Sequence, residues 1–543
     1  MSALVASTSR LDASPALARS TWRASALIVG ISIAALAEAI AGTALSTGRL
    51  DMIGDTHATP DEFAWLDIGF TAAKLVAFLL TPWLMSRLSE TTTLRAAAGL
   101  LALACGVAAL TDDLQLLVVA RIVQGLAGGL LLVCGQAALF RSFRAGAQPL
   151  IQAVFAIGAV VAPACFAPLL SGWMIDSWSW NWIFLTAFAT AVAGLLLVLA
   201  GGALGDVERP RRRLDWAGLS SFAMAATALT YVLSQGSRWN WFEEPHIVLA
   251  SLLGVSALGI FLLTQRGAGS DRLIDRSIFG DENFAFAFLV SFVAGFALSG
   301  SAYIIPSFAV SILGMTATDA GMLLFPSGLL FVATIFIVGW LIKSRGMPPF
   351  ATVPFGILAF VVAMWMLSKA NGESGVADMI NAVHLRGIGL GLLFLSLTLV
   401  ALSGLPARTV VFGVALFDMG RLVGGQIGVA ALQTLIDRQT RQNFTVLAAN
   451  VNDGSPALAA RLAQLGGLVG AKGIEAGMTA KAALSLLGRQ VTTQATVIAF
   501  ETAFLTIVLV FVVAAPLLVL FKFALGKIAK RKGPRPDGQF AAG

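Results

Sequence analysis

Apolar residues fall in long blocks along this chain, and polar residues collect in the gaps between them. The blocks run to 18 residues or more, enough for a helix to cross about 30 Å of hydrocarbon. The first six lie near 24–45, 63–86, 94–111, 115–140, 149–171 and 181–203. A pair follows near 216–236 and 246–265. Six more lie near 284–310, 320–342, 350–368, 384–404, 410–436 and 497–522. The pattern predicts an all-α integral membrane protein with 14 transmembrane helices in a 6 + 2 + 6 arrangement.

Composition agrees. The chain is 57% hydrophobic and 12% charged, against about 25% charged in ordinary soluble domains. That excludes the three or four soluble domains that 543 residues would otherwise suggest. The first 23 residues are polar and carry Arg10, Arg19 and Arg23, and the apolar run after them is too long for a cleaved signal. Cys105, Cys134 and Cys165 all sit inside apolar runs and read as packing residues, with no disulfide framework, metal or cofactor implied.

Charge orients the spans. With the N-terminus in the cytoplasm, the inner gaps hold Arg87, Arg95, Arg141, Arg144, the run "ERPRRR" (208–213), Lys343, Arg345, Arg408 and the tail "KIAKRK" (527–532). The outer gaps carry acids instead, as in "DMIGDTHATPDE" (51–62) and "EEPH" (243–246). This bias places both termini inside. The domains expected are a cytoplasmic segment (1–23), a six-helix bundle (24–203), a two-helix insert with its linkers (204–283), a second six-helix bundle (284–522) and a basic cytoplasmic tail (523–543). The second bundle includes an outer loop, 437–496, whose stretches 455–470 and 481–491 alternate apolar and polar residues at helical spacing and predict short amphipathic helices. A faint repeat, "PWLMSRLSE" (82–90) against "GWLIKSRGMPP" (339–349), relates the two six-helix units. Parallel six-helix repeats with a midplane site are the plan of the major facilitator fold.

Charged side chains at bilayer depth cost about 2.5–3.5 kcal/mol on insertion scales and persist where they are paired, hydrated or functional. Here they are Glu38, Asp67, Lys74, Arg121, Arg386, Asp418, Arg421 and Glu501. Asp67 and Lys74 lie two turns apart on one face of the second span; Arg121 and Gln124 share a face beside Gly125 and Gly129. Asp418 and Arg421 are spaced as a pair and flanked by Gly420, Gly424 and Gly428, which let another helix approach closely. A structural ion pair is an equal reading for them. Arg386 reads as a snorkelling residue near a span end, Glu501 as a solvated one, and the tryptophans of "DSWSWNW" (176–182) as interfacial anchors. Glu38 has no cation on its own helix, so it is the carboxylate expected to bind and release a proton, whereas Asp67 is expected to tune substrate affinity.

These residues carry a family resemblance. "ARIVQGLAGG" (120–129) resembles the RxxQG signature of helix four in major facilitator drug:proton antiporters. "VVAPACFAPLLSGWMIDSWSWNWIFL" (160–185) resembles the antiporter motif of helix five, with Ala167, Pro168 and Gly172 on its GPxxGG. "HLRGIGLGLLFLSL" (384–397) and "FDMGRLVGGQIGVAALQTLI" (417–436) resemble later blocks of the fourteen-helix EmrB/QacA type. The resemblance implies that Arg121 takes part in proton coupling and that Arg421 is the arginine of the helix-thirteen block. It also implies that loop 437–496 meets a periplasmic adaptor of the membrane-fusion type; a lid packed on the transporter's own outer face is an equal reading of that loop. The chain departs from the family at the cytoplasmic motif GxLxDRxGRR, where Pro82, Ser86 and Glu90 stand for a glycine, the aspartate and a basic residue.

The function expected is proton-coupled efflux of amphipathic or hydrophobic small molecules, antibiotics among them, across the bacterial inner membrane by alternating access. Glu38, Asp67, Lys74, Arg121, Gln124, Asp418 and Arg421 are the coupling and substrate residues. A lipid, siderophore or metabolite exporter on the same scaffold, and a sensor that no longer transports, are the alternatives. No nucleotide loop, nucleophile motif or metal cluster points to an enzyme, and no partner beyond substrate, lipid and adaptor is implied; nucleic acid is not expected.

Overall fold

The structure, a computed structural model, describes residues 21–204, 213–267, 272–449, 451, 455–471 and 476–531. Segment 1–20, most of the "ERPRRR" run and the tail from 532 lie outside the described residues. Among the described residues fourteen helices are long and apolar enough to cross a membrane, so this is a multi-pass membrane protein. The first six-helix unit comprises α1 (Thr21–Thr56), α2 (Pro60–Arg87), α3 (Glu90–Ala109), α4 (Leu114–Ser142), the fifth span and α7 (Asn181–Ala200). That fifth span is α5 (Gln148–Ala156), a π-helical stretch over 157–166 and α6 (Ala167–Ser177) in series. Pro163 lies inside the π stretch, where its missing N–H and its ring disfavour the tighter α turn.

A pair follows, α8 (Trp216–Gln235) and α9 (Pro245–Gly267). The second six-helix unit comprises α10 (Glu282–Ser311), α11 (Ala317–Arg345), α12 (Val353–Leu367), α13 (Val376–Leu402), α14 (Val410–Ala449) and α16 (Ala476–Arg531), with the short α15 (Pro456–Gly470) before the last span. An even number of crossings puts the start of α1 and the end of α16 on one side, called here the terminal face.

Helix starts are fixed by local chemistry. Thr59 caps α2 in a reciprocal capping box with Glu62, Asp113 accepts from Leu116 N at the start of α4, and Thr316 with Asp319 caps α11. Glycines set how closely helices pack. A methyl added at Gly125 would stand 2.0 Å from the Phe70 carbonyl oxygen, and one at Gly424 2.0 Å from that of Phe292. So α4 lies backbone to backbone on α2, and α14 on α10 in the second unit. Such close approach replaces the hydrophobic driving force that lipid does not supply.

The insert sits outside the two bundles. α8 packs on α2 and α14, while α9 turns Leu249, Leu252, Val255 and Leu263 outward. The 437–496 segment differs from the sequence expectation. α14 runs unbroken to Ala449, and the stretch 481–491 belongs to the 56-residue α16 rather than to a separate short helix. No proline interrupts the chain between 476 and the start of the apolar span, so the helix simply continues. Among the described residues of this segment only α15 is short, and it packs against α16.

Candidate functional site

Two groups of charges occupy the middle of the bundle. In the first, Lys74 Nζ on α2 donates to Glu38 Oε1 on α1 at 2.5 Å, with the two side chains 14% and 4% exposed. Gly128 of α4 lets the Glu38 side chain lie against its backbone, and Gly42 opens the space beside the carboxylate. On α14 of the second unit, Arg421 pairs with Asp418 at 2.9 Å across one turn. Asp418 also lies within electrostatic reach of Lys74 and Glu38. The two pairs, from α1, α2 and α14, are therefore coupled electrostatically across the contact between the units and are called here the mixed-charge centre.

The second group surrounds Arg121, which is fully buried on α4. Its Nη1 donates to the Ala41 carbonyl at 2.6 Å and to Gln124 Oε1 at 3.0 Å, and its Nε donates to the Leu66 carbonyl at 3.3 Å. The guanidinium lies over the Phe70 ring, 4.1 Å from its centroid. Gln124 in turn donates to the Ala104 carbonyl on α3 at 3.2 Å. Arg121 thus ties α1, α2 and α4 together through backbone oxygens, and Gln124 extends the tie to α3. Asp67 and Glu38 act on it electrostatically but form no ion pair with it. Asp67 is half-buried, with Arg121 and Arg49 as its nearest electrostatic partners.

Several expectations change here. Glu38 lacks a cation on its own helix but is paired across to Lys74 on α2. Arg386 does not snorkel; it is fully buried on α13. Trp173, Trp178 and Trp182 are exposed and lie ring against ring, as interfacial side chains do, but Trp180 is buried and donates to Asp55 Oδ2 at 2.8 Å. One buried pair escaped sequence reasoning altogether. Arg141, read as a loop residue, forms an ion pair with Glu90, joining the start of α3 to the end of α4. The signal was present: Glu90 stands where the resemblance leads one to expect a base, at the same face as Arg141.

Ala167, Pro168 and Gly172 lie apart from both charge groups, on the seam between the units. Gly172 approaches the backbone of Ala317, and Gly321 that of Pro168 and Leu169. Beyond them Asp176 Oδ2 accepts from the backbone N of Thr318 at 2.9 Å. Toward the terminal face the same seam continues, with Gly339 against Pro149. The fifth span and α11 are therefore in contact from one end to the other. Among the described residues no group of three or more His, Cys, Asp or Glu is placed to hold a metal.

Comparison with known proteins agrees with this architecture. The family model of the Major Facilitator Superfamily matches residues 27–429. The multidrug export protein EmrB of Escherichia coli (strain K12) is 24% identical over 88% of this chain and 91% of its own. The fatty acid resistance protein FarB of Neisseria gonorrhoeae is 25% identical, covering 91% and 95%. The colistin resistance protein EmrB of Acinetobacter baumannii is 25% identical, covering 90% and 96%. Among solved structures, the human organic anion transporter MFSD10 (TETRAN) superposes with a TM-score of 0.54 at 13% identity, over 90% of this chain and 98% of that one, and so shares the fold. A family match across most of the chain, fourteen spans and EmrB-type relatives lead to one assignment: the chain belongs to the Major Facilitator Superfamily, in its fourteen-span, EmrB-like branch.

Proposed function

We propose that this protein is a proton-coupled antiporter that exports amphipathic or hydrophobic small molecules across the bacterial inner membrane by alternating access, with no enzymatic activity. The observation that carries the reading is the mixed-charge centre, where Glu38 and Lys74 of one unit meet Asp418 and Arg421 of the other. A carboxylate that binds a proton there loses its bridge to Lys74, which changes the balance of charge between units at the point where they meet. Charge placed between two rocking bundles couples protonation to their relative position. Arg121 supplies a fixed positive charge beside Glu38 and Asp67. Asp67, partly accessible, is suited to meet a cationic group of the substrate. The terminal face is cytoplasmic on this reading, since basic residues collect there. The relatives named for multidrug export, fatty acid resistance and colistin resistance support amphipathic cargo.

The experiment is transport in proteoliposomes with an imposed pH gradient. Wild-type protein is expected to move substrate only with the gradient, and Glu38→Gln to move it without regard to pH. Unchanged pH dependence in Glu38→Gln would remove Glu38 from the coupling step, and a protein that moves nothing under any gradient would be the sensor. The half-buried Lys74 and the buried Arg121 favour a second reading, an exporter of anionic lipids, siderophores or metabolites on the same scaffold. Competition by anionic against cationic amphiphiles in the same vesicles separates the two.

A further inference from the structure

Arg386 carries a charge that no described residue neutralises. It is fully buried, as are Ser301, Ser327 and Cys165 around it. Its Nε donates to Ser301 Oγ at 2.9 Å; its Nη1 donates to Ser327 Oγ at 3.0 Å and to Cys165 Sγ at 3.7 Å. Its Nη2 is buried with no hydrogen-bond partner. No Asp or Glu among the described residues stands within ion-pair distance. Arg121 makes the contrast. Each arginine lies on the fourth helix of its six-helix unit and has a buried Nη2 without a hydrogen-bond partner, but Arg121 has Glu38 and Asp67 in electrostatic reach and a ring beneath it. An uncompensated buried charge is strongly unfavourable, so a position of this kind is expected to be met by a counter-charge from outside the chain.

The surrounding atoms say which kind. A guanidinium offers a planar fork of donors matched to a carboxylate. The Ser301 hydroxyl donates to the Leu298 carbonyl at 3.2 Å, so it is already committed. The Ser327 hydroxyl, by contrast, accepts from Arg386 Nη1, the same nitrogen that donates to Cys165 Sγ at 3.7 Å. Sulfur is a weak partner, and Cys165 is the one member of the group from the first six-helix unit. It sits in the π-helical stretch on the seam with α11. When the units part along that seam, the sulfur leaves with its own unit, and Nη1, Nη2 and the Ser327 hydroxyl are left facing the gap.

We propose that Arg386, held in place by Ser301 and joined by the Ser327 hydroxyl, forms a binding site for a monovalent anion of carboxylate size, opened by withdrawal of Cys165. The anion is either the acidic head of an amphipathic cargo or a free inorganic ion. The site is distinct from the Glu38–Lys74 centre, and its binding is measured without a pH gradient, so it fails or stands apart from the antiport reading.

The test uses the full chain purified in a nonionic detergent and chloride-free buffer, titrated with decanoate, decylammonium or chloride and followed by tryptophan fluorescence. Saturable decanoate binding is expected, weakened about tenfold or more in Arg386→Gln and in a Ser301→Ala, Ser327→Ala double variant. The double variant keeps the arginine and decides the matter if Arg386→Gln does not fold. Decanoate binding displaced by chloride marks a shared head-group site; saturable chloride binding with the same variant losses, and no gain from the alkyl chain, marks an inorganic anion site. Either supports the proposal. Equal affinity in wild-type and double variant, or decylammonium binding as strong as decanoate, overturns it. In a Cys105→Ser, Cys134→Ser background, decanoate is also expected to speed maleimide labelling of Cys165. Labelling indifferent to decanoate overturns the opening step.

Discussion

Arg121 shows why a permanent charge is placed in an apolar helix. Its role is geometric as much as electrostatic: one fork of donors holds the carbonyls of Ala41 on α1 and Leu66 on α2 and the side chain of Gln124. Lysine offers a point charge without that fork, so the two are not interchangeable. Arg121→Ala and Arg121→Lys are both expected to insert and fold yet lose gradient-driven transport, with Lys recovering at most a small fraction. Gradient-driven uptake at the wild-type rate in Arg121→Lys, assayed in vesicles, would show that only the charge matters. The sequence placed Arg121 and Gln124 together because three-residue spacing sets them on one face. It could not show that their partners would be backbone oxygens, since carbonyls leave no mark in residue identity. It also could not pair Glu38 with Lys74. Both were visible as misplaced charges, but which helices meet, and which way each turns, is decided by packing between elements.

At the scale of helices, small residues set the positions of charges. Gly125 brings α4 onto α2 at Phe70, the residue whose ring underlies Arg121, and Gly129 meets the Lys74 carbonyl four residues on. These glycines were readable in the sequence as a small-residue stripe, while the contact they make was not. Gly125→Ala would place a carbon 2.0 Å from the Phe70 carbonyl oxygen, so α4 must move away and carry Arg121 with it. Overpacking of this kind costs about 1–3 kcal/mol. The variant is expected to unfold at lower temperature in detergent and to lose transport. Gly259→Ala on α9, where nothing stands within 4 Å, is the control and is expected to match the wild type. If both variants behave alike, the α2–α4 approach is not what fixes the arginine. The same logic explains the length of the last helices. Hydropathy marks where a span enters lipid, but a helix ends only where a breaker or cap ends it, which is why 481–491 reads as a separate element and folds as part of α16.

At the scale of the whole molecule, the face opposite the termini carries two structures of different kinds. The first is a strap. The turn of the α8–α9 insert joins both units, with Arg238 paired to Asp61 at the start of α2 and Ser237 bonded to Asp437 on α14 at 2.6 Å. The second is the hairpin beyond it. α14 continues twelve residues past Asp437, and α16 begins about twenty residues before its apolar span. At 1.5 Å per residue the α16 arm extends about 30 Å. α15 is held by α16, with Leu465 and Val469 buried and Arg461 bonded to Gln490, while Leu468, Met478 and Leu484 are exposed. A lid would turn those apolar side chains onto the bundle. We propose a periplasmic adaptor as the partner of this arm, a reading that their exposure and the packing of α15 on α16 support. Replacing 450–475 with a short Gly/Ser linker removes α15 and keeps the α14–α16 pairing tied by Asn443 and the Ala495 carbonyl. The shortened protein is expected to transport normally in proteoliposomes, where no adaptor is needed, and to fail at efflux from intact cells, with loss of adaptor co-purification. Loss of transport in the purified system would mean that the arm serves the transporter's own cycle, and the exposed apolar face would then have to close onto the bundle in another state.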